Sequence, residues 1–258
     1  MNPAMLAALL SLALFLGMLG CLEVGRRMGL RRMAADPDGV KSGTGPVDSA
    51  IFALLGLLIA FTYSSASTRY EKRRELIVQE ANSIGTAYLR LDLVPSEPRA
   101  ELQQLFREYL DSRLATYRLL YDLDAAHAEY GRSVELQGRI WNKALDAARS
   151  LPSPAPLQLL VPSLNEMFDI SNSRRAAVMM HQPPIIFGML VAVALCGAVL
   201  AGHSLATGRA RSWIHIAAFG AVTAVTLYVI LDLEFPRYGL IRVDDLDVLL
   251  RDVRASMK

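Results

Sequence analysis

The fold of this chain is decided by residues 50–88, which read AIFALLGLLIAFTYSSASTRYEKRRELIVQEANSIGTAY. An apolar run at residues 51–60 continues through small polar residues into a charged, amphipathic segment, and no proline interrupts it. Proline inside a helix removes a hydrogen bond and kinks or ends the helix. The sequence therefore predicts one continuous helix that leaves a membrane and enters water.

The membrane half of this helix has small residues at four-residue spacing. These are Gly56, Ala60 and Ser64, and Leu57 and Phe61 lie one turn apart beside them. Small residues let two helices approach closely inside a membrane. The pattern suits several helices packed around a shared axis, and it equally suits ordinary helix packing without a pore. The residues alone leave both interpretations open.

Composition assigns the chain to the membrane class. Of its 258 residues, 53% are hydrophobic and 20% are charged, so apolar and polar residues must be segregated along the sequence. A helix needs roughly 20 mainly apolar residues to cross a bilayer. The apolar segments predict four transmembrane helices, at about residues 4–23, 48–68, 184–206 and 212–232.

The four helices are predicted to form two hairpins with a soluble domain between them. The first hairpin covers residues 1–68, the helical soluble domain 69–183, the second hairpin 184–233, and a tail with a short amphipathic helix 234–258. In the soluble domain Leu102, Leu105, Phe106 and Tyr109 recur at three- and four-residue steps, which is typical of amphipathic helices. No strand-like alternation competes, so the predicted fold class is all-α.

No pattern of catalytic or metal-binding residues stands out. The four histidines are scattered, each of the two cysteines lies in an apolar segment, and the sequence has no HExxH, CxxC or phosphate-loop motif. A net charge of +2 gives no reason to expect nucleic acid as a partner. We therefore predict that the protein is not an enzyme and has neither a metal nor a cofactor.

Several acidic residues are expected to be structural groups. Asp232 and Glu234 follow the fourth predicted transmembrane helix, and we expect them to cap the chain there or to pair with Arg73 or Arg74. Glu80 is expected on the water-exposed part of the long helix. There it would make hydrogen bonds between subunits.

Six sets of residues stand out in the sequence: 54–61, 67–73, 79–88, 107–109 with Asp111, 165–166 with 174–175, and 231–243. Together these stretches resemble a bacterial bestrophin-like family of membrane proteins. The resemblance covers most of the chain after about residue 45, and its link to characterised bestrophins rests mainly on the second membrane helix.

Bestrophins are pentameric ion channels in which the second membrane helix of each subunit lines a narrow hydrophobic neck. The resemblance implies that Phe61 occupies the lowest neck position, with Leu57 one turn above it and Ala53 a further turn above. Ala53 is a departure, because a large apolar side chain is expected there. Either the neck is shorter in this protein or Leu54 takes that place.

The resemblance also implies roles for the residues around the neck. Ser64, Thr68 and Arg69 would line the vestibule, where five copies of Arg69 would raise the local concentration of anions. Gly56 and Ala60 would serve helix packing. The implied function is a homo-oligomeric, pentameric ion channel, for which chloride is a candidate ion.

A second interpretation belongs to another class of protein, a non-conducting membrane scaffold or sensor. The large polar domain and the lack of a catalytic pattern motivate it. The expected partners are other copies of the chain and membrane lipids, and the expected location is a bacterial inner membrane.

Basic residues lie at both membrane ends, for example Arg26 and Arg69, so charge does not decide the orientation. The resemblance places the helical domain in the cytoplasm.

Overall fold

The computed structural model describes residues 2–35, 45–119, 122–149, 152–206 and 213–257. The predicted start of the fourth transmembrane helix, residue 212, lies outside the described residues. Within those residues the secondary structure is helical and contains no strand, which confirms the all-α prediction. The described α-helices are α1 Pro3–Ala35, α2 Gly45–Leu89, α3 Ser96–Arg118, α4 Leu123–Arg149, α5 Ala155–Met179, α6 Pro184–Leu205, α7 Trp213–Glu234 and α8 Asp247–Ser256.

Among the described residues, four helical spans are long and apolar enough to cross a membrane, as the sequence predicted. They are Pro3–Ala35, Gly45–Leu93, Ala155–Leu205 and Trp213–Glu234. The second span contains α2, which runs unbroken for 45 residues. At about 1.5 Å per residue, α2 is about 68 Å long, whereas the hydrocarbon core of a bilayer is only about 30 Å thick. The prediction that one helix continues unbroken from the apolar segment into the charged segment is therefore confirmed.

The contacts divide the chain into two compact units. The first unit comprises Met1–Tyr70 and His181–Ile241, and the second comprises Glu71–Met180 and Arg242–Lys258. The C-terminal residues therefore group with the central helices. The domain limits proposed from the sequence stay predictions, because they depend on where the membrane begins and ends.

In the first unit α1 and α6 approach each other through glycines. A Cβ added to Gly25 would lie 1.9 Å from the carbonyl oxygen of Val199, and one added to Gly202 would lie 2.0 Å from that of Leu22. No side chain fits in such a space, so glycine lets the two backbones touch. The apolar core of this unit includes the buried Met18 of α1.

The second unit has its own apolar core. Side chains from α2, α3, α4, α5 and α8 form it, and these include the fully buried Ile84, Phe106, Ile140 and Leu164. The short amphipathic helix α8 contributes Leu250, which is also fully buried. The second unit is therefore a helical domain with an ordinary hydrophobic interior.

Candidate pore helix and its charged clusters

One face of the membrane half of α2 is attached to its own unit. Leu55, Thr62 and Ala66 are only 4%, 2% and 0% exposed. Nearby, the ring of Phe52 meets that of Phe219 edge to face, with centroids 5.8 Å apart. Because an α-helix turns by about 100° per residue, positions 55, 62 and 66 form a single stripe. This stripe fixes α2 to the rest of the first unit.

The opposite face of α2 carries the predicted neck residues. Leu57 is 51% exposed and Phe61 is 66% exposed, and Ala53 is exposed beside them. On an ideal helix, Ala53, Gly56, Leu57, Ala60, Phe61, Ser64 and Thr68 all fall within one arc of about 140°, and all seven are exposed. The same arc contains Ser67, which is half-buried. The structure thus brings the predicted neck residues, the packing residues and two of the three vestibule residues onto one open face.

This face of α2 differs in composition from other exposed membrane faces. The exposed residues of α1 and α7 include Leu9, Leu12, Leu16, Val222 and Val225, which are large and apolar. Exposed alanines also occur on α1 and α7, so the α2 face is set apart by the exposed hydroxyl-bearing residues Ser64 and Thr68, which lie on the same face as Leu57 and Phe61. Uniformly apolar faces suit lipid tails, whereas small and polar residues are typical of contacts between membrane helices. The α2 face is therefore suited to another helix or to a water-filled path.

Arg69 lies on the buried stripe of α2 rather than on the exposed face. It follows Ala66 by three positions, and its guanidinium is held by three side chains of the same unit. Nε donates to Oε1 of Glu234 at 3.0 Å, Nη1 donates to Oγ of Ser65 at 2.7 Å, and Nη2 donates to Oε1 of Gln182 at 2.6 Å. The vestibule role of Arg69 stays a prediction, but its positive charge has a carboxylate partner within the subunit.

Glu234, the partner of Arg69, is a nearly buried carboxylate at the end of α7. Its side chain is 2% exposed. Oε2 of Glu234 lies 3.4 Å from Nδ1 of His181, and the His181 ring stacks on Phe235 with centroids 4.7 Å apart. A buried carboxylate needs such partners, because an unpaired charge away from water is costly. Glu234 thus forms an ion pair with Arg69. The sequence had suggested Arg73 or Arg74 as the partner and not Arg69.

Asp232 organises the turn that follows α7. Its buried carboxylate accepts hydrogen bonds from the backbone N–H groups of Leu240 and Ile241, at 3.0 and 2.8 Å. A Cβ added to Gly239 would collide with this carboxylate at 1.4 Å. Glycine is therefore the residue that lets the turn close over Asp232. The expectation that Asp232 acts as a cap agrees with this geometry.

The second unit contains a buried cluster of charges centred on Glu80. The Glu80 side chain is 0% exposed. Nε of Arg113 donates to Oε1 at 2.6 Å, Arg174 donates to Oε2, and Nη2 of Arg174 also donates to Asp247 at 3.1 Å. The expectation that Glu80 lies in water and bonds between subunits is wrong. Glu80 instead links α2 to α3 and α5, and Arg174 extends the cluster to α8.

The protonation of this cluster follows from its burial and its charges. Burial alone would raise the pKa of Glu80, but the charges and hydrogen bonds of Arg113 and Arg174 outweigh it and lower that pKa below its ordinary value. Burial raises the pKa of the nearby Tyr109 to about 12. At neutral pH the cluster therefore has an ionised Glu80 and a neutral Tyr109.

Tyrosine rings complete the cluster. The guanidinium carbon of Arg174 lies 3.6 Å from the ring centroid of Tyr117, and Arg113 donates to the hydroxyl of Tyr117 at 2.8 Å. Stacking on an aromatic face stabilises a cation that is out of water. Each arginine thus has both an anion and a ring as partners.

Across the described ranges, no group of three or more His, Cys, Asp or Glu side chains could hold a metal ion. The charged clusters mix arginines with carboxylates instead. Arginine is always protonated and is not a metal ligand. The geometry of these clusters is that of structural ion pairs.

A model of the bestrophin-like domain matches residues 12–247 of this chain. The chain belongs to the bestrophin-like family. A crystal structure described as that of a membrane protein is similar in fold, with a TM-score of 0.65 and 13% sequence identity over 94% of this chain and 97% of that chain. No curated protein matches the chain. The match and the similar fold confirm the resemblance to a bestrophin-like membrane family.

Several residues of the charged clusters in this bestrophin-like chain lie in the stretches that carried the resemblance. Glu80 lies in residues 79–88, Arg174 in residues 174–175, and Asp232, Glu234 and Gly239 lie in residues 231–243. Sequence reasoning named these residues but did not find their partners. Helical spacing gave one signal that Glu80 is buried. Glu80 follows the apolar Ile77 by three positions and so lies on the same face of α2, and Ile77 is buried.

Proposed function

We propose that this bestrophin-like chain is one subunit of a homo-oligomeric ion channel, and that the exposed face of α2 lines its pore. Membership of the family suggests that the protein functions as an ion channel. The observation that carries the proposal is the face of α2 that has Leu57 and Phe61 among small and hydroxyl-bearing residues and is open in the single chain. Other copies of the chain would cover this face around a shared axis.

In the proposed pore, Leu57 and Phe61 form a hydrophobic constriction. Rings of large apolar side chains gate channels because water leaves a narrow apolar passage. Ala53 is exposed on the same face but has only a methyl group, and Leu54 is 47% exposed nearby. The neck is thus two residues deep, or Leu54 supplies a third level. Ser64 and Thr68 then line the wider, polar part of the path, and Gly56 and Ala60 lie beside the neck where adjacent copies of α2 come together.

The finer proposals concern the number of subunits, the ion and the location. Five subunits follow from the likeness to bestrophins, and chloride is the ion to test first. Because Arg69 is paired with Glu234, a ring of Arg69 residues contributes less net positive charge than the sequence suggested. We further propose a bacterial inner membrane as the location, with the helical domain in the cytoplasm.

Chloride flux from liposomes tests the proposed pore. The purified protein is reconstituted as wild type, Leu57→Ala, Phe61→Ala and Leu16→Ala. Leu16 of α1 is a matched control, because it is an exposed leucine on another membrane span, 57% exposed against 51% for Leu57. A shorter side chain widens the constriction, so Leu57→Ala and Phe61→Ala should raise the flux several-fold. Leu16→Ala should not change it.

A parallel assay of potassium flux tests whether a pore exists separately from which ion passes through it. If Phe61→Ala raises potassium flux and not chloride flux, the pore is supported and chloride is replaced as the permeant ion. If all four proteins are assembled and equally impermeable to both ions, the channel proposal is wrong. The scaffold or sensor interpretation would then account better for the chain.

A further inference from the structure

A cavity with a mixture of charged and apolar walls lies at one membrane end of the first unit. Its volume is about 340 Å³, and its lining residues are Met28, Arg32, Asp48, Leu200 and His203. These residues come from the last turns of α1 and α6 and from the first turn of α2. The volume falls within the range of roughly 300–1,000 Å³ that is typical of small-molecule sites, but the cavity is a surface groove that is open along one side.

The depth of the cavity is that of lipid headgroups. The 22 residues of α6 extend for about 33 Å at 1.5 Å per residue, close to the roughly 30 Å of a hydrocarbon core. His203 is two residues from the end of α6, so it lies near the membrane surface. A Cβ added to Gly29 of α1 would lie 2.7 Å from the carbonyl oxygen of His203, which places the last turns of α1 at the same depth.

The walls of the cavity change from apolar to charged along the membrane normal. On α1, Met28 lies one turn nearer the membrane centre than Arg32. On α6, Leu200 lies one turn nearer the centre than His203. A phospholipid has the same order of chemistry, with an acyl chain below a charged headgroup. This order distinguishes the cavity from a site for a water-soluble ion.

The charges in the cavity have both signs. The side chains of Arg32 and His203 make no hydrogen bond or ion pair with another residue in the described part of the chain. Asp48 accepts a hydrogen bond from Oγ of Ser204 at 3.2 Å, which leaves its second carboxylate oxygen able to accept from a ligand. An arginine beside a histidine suits a phosphate, whereas a carboxylate suits an ammonium group and repels an anionic headgroup.

We propose that this cavity binds a phospholipid whose headgroup carries both a phosphate and a primary ammonium, such as phosphatidylethanolamine. Arg32 and His203 hold the phosphate, Asp48 accepts hydrogen bonds from the ammonium, and Met28 and Leu200 contact the start of the acyl chain. This inference depends on the chain spanning a membrane, and it does not depend on ion conduction.

Native mass spectrometry of the detergent-solubilised full-length protein tests the proposal. The protein is titrated with phosphatidylethanolamine or with phosphatidylglycerol of identical acyl chains. The wild type should bind phosphatidylethanolamine roughly tenfold more tightly, since one charge-assisted hydrogen bond separates the two lipids. Asp48→Asn should lose this preference, and Arg32→Gln should weaken the binding of both lipids. The control is Arg31→Gln, which removes the neighbouring exposed charge outside the cavity and should leave both affinities unchanged.

Equal affinities of the wild type for the two lipids would overturn the proposal, and so would a preference that persists in Asp48→Asn. If Asp48→Asn does not fold, the wild type is titrated with phosphatidylethanolamine whose amine is acetylated. Loss of roughly tenfold in affinity for the acetylated lipid would support the proposal. An unchanged affinity would contradict it.

Discussion

The two halves of α2 differ in which kind of side chain they bury and which they leave exposed. The soluble half places a charge, Glu80, where no water reaches, and surrounds it with Arg113 and Arg174 of the same chain. The membrane half places large apolar side chains, Leu57 and Phe61, on a face that no part of the described chain covers. The charge of Glu80 is thus balanced within one subunit. The membrane half is complete only when lipid or another copy of the chain covers it.

This difference separates residues that hold the fold from residues that can change without unfolding it. Breaking a buried ion pair leaves an uncompensated charge, which costs far more than the pair itself is worth. Shortening a side chain on an uncovered face leaves no cavity in the subunit, so its stability changes little. Substitutions in the soluble half should therefore alter folding, and those on the exposed face should alter assembly or flux.

The largest expected effect follows from the Glu80→Gln substitution. It keeps the size of the side chain but leaves Arg113 and Arg174 buried without their shared anion. We expect a loss of roughly 3–5 kcal/mol in the free energy of unfolding. Denaturant unfolding of the solubilised protein measures it, followed by the fluorescence of Trp141 in α4 with Trp213 replaced by phenylalanine in both proteins.

Glu75→Gln is the matched control for Glu80→Gln. Glu75 is also on α2, its side chain is 53% exposed, and its described ion pair is with Lys72 at 2.9 Å. Exposed pairs of this kind contribute about 0–1 kcal/mol. If the two variants lose similar stability, the Glu80 cluster does not hold the soluble half together.

A smaller effect is expected where α1 meets α6. Gly202→Ala adds a methyl group at a point that lies 2.0 Å from the carbonyl oxygen of Leu22, so the two helices must move apart. Overpacking of this kind typically costs about 1–3 kcal/mol. Thermal unfolding of the solubilised protein measures the loss.

Gly188→Ala is the control on the same helix, because a Cβ at Gly188 meets nothing within 4 Å in the described structure. It should leave the unfolding temperature unchanged or raise it slightly, since alanine favours helix more than glycine does. If both variants lose the same amount in unfolding temperature, Gly202 does not act by letting α1 and α6 approach closely.

The smallest effect is a dependence of stability on pH. The pKa of Glu80 is lowered in the folded chain, so the unfolded chain binds the proton first as the pH falls. The stabilisation from Glu80 is fully present above the ordinary glutamate pKa of about 4.3 and is lost as the pH falls further, through the folded pKa. Unfolding temperatures measured between neutral pH and about pH 3 should fall more steeply for the wild type than for Glu80→Gln. Parallel curves would contradict this assignment.

The continuity of α2 could be predicted because it depends on local sequence alone. No proline or glycine cluster stops the helix between the apolar and charged segments, and the structure contains the unbroken helix. The exposed face could be predicted as well, because Leu57 and Phe61 share their spacing with Gly56, Ala60 and Ser64. Helical periodicity is enough to place such residues on one face.

The ion pairs could not be predicted with the same reliability, because they join distant positions. Arg69 and Glu234 are 165 residues apart, and Arg174 and Glu80 are 94 residues apart. Periodicity did contain a partial signal, since Arg69 continues the stripe of Thr62 and Ala66, and Glu80 continues the stripe of Ile77. A charge on a buried stripe predicts a partner, but only the tertiary fold shows which one.

Projection images of the solubilised protein, viewed down the membrane normal, test the central claim most directly. The account predicts a closed ring, with five subunits as the proposed number, and with α2 nearest to the axis. A three-dimensional reconstruction from the same particles identifies this helix, because α2 runs unbroken for 45 residues. A monomer would contradict the account, and so would a ring in which α2 faces the surrounding detergent.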